Sequence, residues 1–224
     1  RQHLEALATD IYPYLRNELF LPWPIEDFPA VLSGTLEQMQ ALGLLEMNDD
    51  GSQVRRAEGG TDQAAQISLL ARSMMNILER YYITFAVLAK NGSGRLNRPE
   101  LERLCILTAQ RISLLQEFEA PEFSDRSLFK QFIQELRNQG VLISNLENRI
   151  EFGERLYRMS DDSRLFLEKG IRHGIIQVVP REEAKQLLTA DSPDSGAVFT
   201  VATPPSSADE PVNDPEDSPE QGQN

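Results

Sequence analysis

The sequence predicts a mainly α-helical fold that carries two small helix-plus-β-hairpin, winged-helix-like units and a disordered acidic tail. Three observations predict it. Apolar residues recur at spacings of three and four along most of residues 1–189. Two segments 97 positions apart share one pattern, a helix closed by Gly that leads into strand, turn and strand. From Ala190 to Asn224 the composition changes: six prolines and eight acidic residues occur there, with no Lys or Arg. Such a segment cannot bury enough apolar surface to offset the entropy of ordering it. The expected organisation is a helical domain over 1–189 and a Pro-rich acidic tail over 190–224.

Taken in order, Leu4, Leu7, Ile11, Leu15 and Leu19 mark the apolar face of a first helix, which Pro13 is expected to kink or split. Pro22, Pro24 and Pro29 punctuate a loop around Trp23. A long helix is expected over Gln63 to Ala89, with Ile67, Leu70, Met74, Ile77, Leu78 and Tyr81 on one face. Its end, Tyr81 to Ala89, is apolar on nearly every side and belongs in the middle of the fold. Asn91, Gly92 and Gly94 end it. Asn97 is placed to cap the next helix, with Pro99 in the first turn and Glu100 and Glu102 at the positive end of the dipole. Leu101, Leu104, Cys105, Thr108, Ile112 and Leu115 line its face.

The repeat pairs residues 30–45 with 127–142, within units near 27–57 and 125–153. Leu32 aligns with Phe129, Leu36 with Ile133, Met39 with Leu136 and Gly43 with Gly140. Each Gly sits where a helix ends in a left-handed residue. Polar turns follow at Asn48 to Gly51 and Asn145 to Asn148.

Charge decides what such units can contact. The 224 residues carry 22 Lys and Arg against 35 Asp and Glu, a net charge of -13; without the tail it is -5. From Pro22 to Asp50 there are six acidic residues and no basic one, and the second unit is balanced rather than basic. Phosphate would repel the first helix, so no nucleic-acid partner is expected. One cysteine, Cys105, excludes an internal disulfide and a Cys-rich zinc site. No apolar run is long enough to span a membrane. The sequence opens at Arg1 without an initiator Met or a signal-peptide pattern, as a piece of something longer would.

No catalytic constellation is found, and no catalytic, cofactor-binding or metal-binding residue is expected; no cofactor is implied. His3 and His173 lie far apart and outside any metal-ligand spacing. His173 is expected near a helix end, against carbonyls. Asp161 and Asp162 read as the cap and first-turn acids of a helix beginning there. Cys105 reads as a buried small apolar residue, and Tyr81 and Tyr82 as core or rim aromatics.

The runs Arg80–Asn91 (RYYITFAVLAKN), Thr108–Leu115 (TAQRISLL) and Ala120–Asp125 (APEFSD), with the opening Tyr14–Phe20 (YLRNELF) before Trp23, resemble the C-terminal part of the bacterial membrane-bound glycerol-3-phosphate 1-O-acyltransferases. The likeness covers roughly residues 8 to 170. It implies an enzyme that transfers an acyl group from acyl carrier protein or coenzyme A thioesters to sn-glycerol 3-phosphate, giving lysophosphatidic acid at the cytoplasmic face of the inner membrane. It also implies a His-x-x-x-x-Asp catalytic motif and a Glu-Gly-x-Arg-type phosphate block. Neither is here: Ala8 follows His3 by five positions, Val178 follows His173 by five, and Glu58-Gly59-Gly60-Thr61 continues into Asp62-Gln63. The expected role is a non-catalytic support for an upstream catalytic domain of the same polypeptide. A peripheral membrane contact through Leu19, Phe20, Leu21 and Trp23 and a site for acyl carrier protein are further implied partners. A free-standing helical interaction module without enzymatic activity is the alternative.

Overall fold

Ten consecutive residues from Glu79 to Leu88 are buried, so one helix segment must be enclosed on every side. The rest of the fold is arranged to enclose it. The computed structural model describes residues 1–116 and 121–181; the expected tail lies outside them. The order is α1 (Gln2–Leu19), α2 (Phe28–Ala41), β1 (Leu45–Met47), β2 (Val54–Arg56), α3 (Asp62–Asn91), α4 (Arg98–Gln116), α5 (Arg126–Asn138), β3 (Leu142–Ser144), β4 (Ile150–Phe152), α6 (Glu154–Asp162) and α7 (Lys169–Val178). Short 3₁₀ turns at Pro121–Ser124 and Ser163–Leu165 join α4 to α5 and α6 to α7. The described residues are mainly helical with two antiparallel hairpins, the expected fold class.

α3 is the axis. Thr61 caps it by accepting from the Ala64 amide at 3.1 Å, and Gly92, at φ 90°, stops it. Around its C-terminal half pack α4, α5, α6 and α7. α4 begins with a reciprocal cap: Asn97 Oδ1 accepts from the Glu100 amide and Glu100 Oε2 accepts from the Asn97 amide, both at 2.9 Å. Leu101, Leu104, Cys105, Thr108 and Ile112 face the core as expected, but Leu115 is 71% exposed, so the buried stripe stops one turn early.

α1 runs unbroken through Pro13. Proline removes one helical donor, yet Tyr12 and Tyr14 on either side are each 2% exposed and hold the helix against its neighbours. Tyr12 stacks on Phe28 of α2 with centroids 3.7 Å apart, and its hydroxyl donates to the Trp23 carbonyl at 2.8 Å. The expected leucine face is only partly covered: Ile11 and Leu15 pack on the core, while Leu4 and Leu19 are about 40% exposed. The tyrosines, not the leucines, seat this helix.

The two units have the same construction. α2 leads to Gly43 at φ 71° and the β1–β2 hairpin; α5 leads to Gly140 at φ 67° and the β3–β4 hairpin. A side chain at either Gly would be strained in that left-handed conformation. Leu45 pairs with Arg56 in the first hairpin and Leu142 with Phe152 in the second. The turns are organised by equivalent asparagines. Asn48 Oδ1 accepts from the Gln53 amide at 2.8 Å, and Asn145 Oδ1 from the Glu147 and Arg149 amides at 3.0 and 2.9 Å.

Candidate functional site

The residues weighed for chemistry are not brought together. His3 is exposed on α1, and His173 is exposed inside α7 rather than at its end, its Nε2 2.8 Å from Gln177 Nε2. Asp161 and Asp162 close α6 instead of opening a helix, because α6 already begins at Glu154; Asp161 pairs with Arg164 at 2.8 Å. Cys105 is fully buried, and its Sγ lies 3.8 Å from Thr84 Oγ1. Burial pushes its thiol up to about 12, far from a reactive thiolate. Glu58 to Thr61 form the turn into α3, with Gly60 at φ 89°.

What the sequence did not single out is a buried polar seam between α1, α3 and α5. The Arg80 guanidinium, 2% exposed, is ion-paired to Glu18, and the Tyr81 hydroxyl donates to the second oxygen of Glu18 at 2.9 Å. Burial first, and the Glu18 carboxylate second, push the Tyr81 phenol upward. Asn17, next to Glu18, donates to Glu135 Oε2 at 2.6 Å, and Asn138 and Gln139 also donate to Glu135 at 3.1 and 2.8 Å. Gln131 donates to the Asn17 carbonyl at 2.9 Å. The sequence signal was a Glu79-Arg80 pair at the entrance to an apolar run, where a charge has to find a partner. Glu79 is 3% exposed, and its Oε2 has no hydrogen-bond partner among the described residues. Burial pushes its carboxyl up to about 7.

Beside the seam, α1, α3 and α6 leave a narrow cleft of about 30 Å³ lined by Tyr14, Tyr81, Phe132 and Phe166 among others. That is room for a water molecule and not for a substrate. Burial, opposed by the Arg155 guanidinium and assisted by Glu135 and Asp10, pushes the Tyr14 phenol up to about 12.

The open surface lies on the first unit and its surroundings. In α5, Phe129, Ile133 and Leu136 are fully buried, and Phe132 stacks on Tyr81 at 3.8 Å with Tyr14 and Phe85 against its edges. The equivalent α2 positions are Leu32 and Met39, half-buried, Leu36, buried, and Thr35, exposed. Leu42 is 68% exposed where the second unit has Gln139 bound to Glu135. The N-terminal half of α3 stands clear as well: Leu70, expected on the buried face, is 56% exposed, and Leu69 beside it is 71% exposed. At the end of α1, Phe20 takes a left-handed conformation (φ 54°) and is 87% exposed; Trp23 and Ile25 are about 40% exposed.

The fold and these surfaces define a class: a helix-and-hairpin module seated on a buried polar seam, with one of its two units left open. Comparison with known proteins gives the family. A family model, the glycerol-3-phosphate acyltransferase C-terminal region, matches residues 1–145, and the chain belongs to that family. Among its relatives are proteins named glycerol-3-phosphate acyltransferase from Xanthomonas campestris pv. campestris, 40% identical over 187 residues, from Xylella fastidiosa strain M12, 38% over 179, and from Pseudomonas aeruginosa, 36% over 201. These alignments take in 83%, 79% and 88% of this chain but 21%, 21% and 23% of the relatives. The chain therefore spans about a fifth of the length of the curated relatives it matches. No solved structure matches it. No described helix is long and apolar enough to cross a membrane.

Proposed function

We propose that this chain is the non-catalytic C-terminal support of a glycerol-3-phosphate 1-O-acyltransferase. The complete enzyme would move an acyl group from acyl carrier protein or coenzyme A to sn-glycerol 3-phosphate, the first step of phospholipid synthesis. The general base and its orienting carboxylate would lie upstream of Arg1. One observation carries the reading: a family match over residues 1–145 joined to relatives about five times longer than the aligned stretch. The buried seam supports it, since Arg80–Glu18 and the Glu135 cluster fix α1, α3 and α5 against one another and make a rigid base. We also place the enzyme at the cytoplasmic face of the inner membrane, with this region meeting lipid at most peripherally. Glu26 and Asp27 next to Trp23 and Ile25 make that corner a poor match for anionic lipid. An acyl-carrier site on this chain has little support, because Arg98, Arg126 and Arg149 on and beside α4 are already engaged by Glu102 and Glu100.

The test is acyl transfer to glycerol 3-phosphate in membranes, comparing the full-length polypeptide with one ending before Arg1 and with residues 1–189 alone. Activity of the full-length form only is the expected result. Full activity without this region, or activity from residues 1–189 alone, would overturn the reading.

A further inference from the structure

We infer that the N-terminal half of α3, through Leu69 and Leu70 with Leu42 beside its start, is the surface on which the upstream part of the same polypeptide docks; this rests on the support role proposed above. One apolar stripe runs the length of α3. From Met74 through Ile77, Leu78 and Tyr81 it passes progressively into the core. Toward the N-terminus the same stripe continues through Leu70 and Ile67, but Leu70 is 56% exposed and its neighbour Leu69 is 71% exposed. A helix that keeps its apolar stripe beyond the core has a use for it elsewhere.

Three observations name the occupant. Gln63, one turn before Ile67 on the stripe, lies against Gly43, where a Cβ would stand 3.7 Å from its Cγ. The end of α2, next to Leu42, therefore lies beside the start of α3. Arg1 contacts that same unit, its guanidinium donating to Ser33 Oγ at 2.9 Å and its backbone nitrogen to the Ser52 carbonyl at 2.8 Å. In a polypeptide as long as the relatives, the preceding segment enters the fold here. About four-fifths of those relatives lies outside the aligned stretch, and the matching family is a C-terminal region, so a polypeptide of their length would have ample chain before this point. The second unit shows what cover looks like: its helix is enclosed by α1, α3 and α4, whereas α2 rests mainly on α1 and its own hairpin.

The experiment uses the full-length enzyme with Leu69→Asp and Leu70→Asp combined, the milder Leu69→Ala with Leu70→Ala, and Leu146→Asp at the fully exposed tip of the second hairpin as control. Tryptic cleavage after Arg72, on the same half of α3, reports whether the surface is covered. Cleavage should be slow in the wild type, at least tenfold faster in the Asp pair and severalfold faster in the Ala pair. Acyl transfer should fall with it, and the control should match the wild type in both. Equal cleavage in wild type and variants would overturn the docking surface. So would wild-type protection that disappears on dilution, which marks a second copy, or on detergent extraction, which marks lipid. If removing residues 1–189 abolishes transfer while these variants stay protected and active, the surface is wrong and the support role stands. If removal leaves transfer intact, the support role itself fails.

Discussion

The second helix–hairpin unit is finished and the first is not, although they share one construction. Their glycines adopt the same left-handed conformation, both hairpins are antiparallel with the first turn one residue longer, and Asn48 and Asn145 each accept from turn amides. The difference lies in what the helices bury. α5 presents Phe129, Phe132, Ile133 and Leu136 to three neighbouring helices, and its Glu135 is the acceptor of the polar seam. α2 presents Leu32, Thr35, Leu36 and Met39, with Gln38 exposed where Glu135 would be. A repeated local design is thus anchored in the core once and left available once. A hairpin motif sets its own backbone, while packing determines whether the motif is part of the core or a contact surface.

The anchored unit should respond most strongly to side-chain truncation. Leu136→Ala should destabilise the chain by about 3 kcal/mol and Met39→Ala at the equivalent position by about 1 kcal/mol, since only the former opens a fully buried cavity. Denaturant unfolding checks it; equal losses would mean that the first unit is as firmly packed as the second. Glu18→Gln should cost roughly 3 kcal/mol, because it removes the carboxylate charge from a buried ion pair with Arg80. Gln38→Ala, at the exposed α2 position equivalent to Glu135, should change stability by less than about 0.5 kcal/mol.

Glu79 gives the contrast a pH dependence. Its folded-state carboxyl titrates near 7 and its ordinary value is 4.5, so between those values the folded chain holds more protons than the unfolded one. Stability contributed by the neutral form is fully present below about 4.5 and is lost as pH rises toward 7, by roughly 2–3 kcal/mol. Thermal unfolding across that window should show the decline, and Glu79→Gln should flatten it. A decline that survives the substitution would place its origin at another group. Effects at the turns should be smaller than those at Leu136, Glu18 or Glu79. Asn48→Ala and Asn145→Ala should each cost about 1 kcal/mol, because both side chains perform the same local task regardless of how deeply their unit is buried.

Much of the fold was legible because it depends on local rules. The Asn97 cap, the glycines at 43 and 140, the polar turns, the buried end of α3 and the buried Cys105 all follow from residue type and spacing. Where neighbours decide, the sequence was less informative. Leu70 and Leu115 continue apolar stripes that the fold covers only in part. Pro13 is tolerated because two tyrosines clamp the helix on either side of it. Asp161 and Asp162 end a helix whose start at Glu154 follows the second hairpin, and that start is set by Gly153 rather than by the acids. The polar seam was hidden for a plainer reason. Its members are separated by up to 118 positions, as with Asn17 and Glu135, and nothing in local pattern pairs them. The open surface of the first unit was partly visible in the exposed corner at Phe20 and Trp23, but the free half of α3 appears only once the core is assembled.

If chain outside these residues completes the first unit, amide hydrogen exchange will show it directly. For residues 1–189 alone, α5 and residues 79–88 of α3 should exchange only on global unfolding, while α2 and residues 62–73 exchange much faster through local opening. In the full-length polypeptide the protection of α2 and residues 62–73 should rise to approach that of α5. Fast exchange there in the full-length protein, or equal protection of both units in the short chain, would contradict the account.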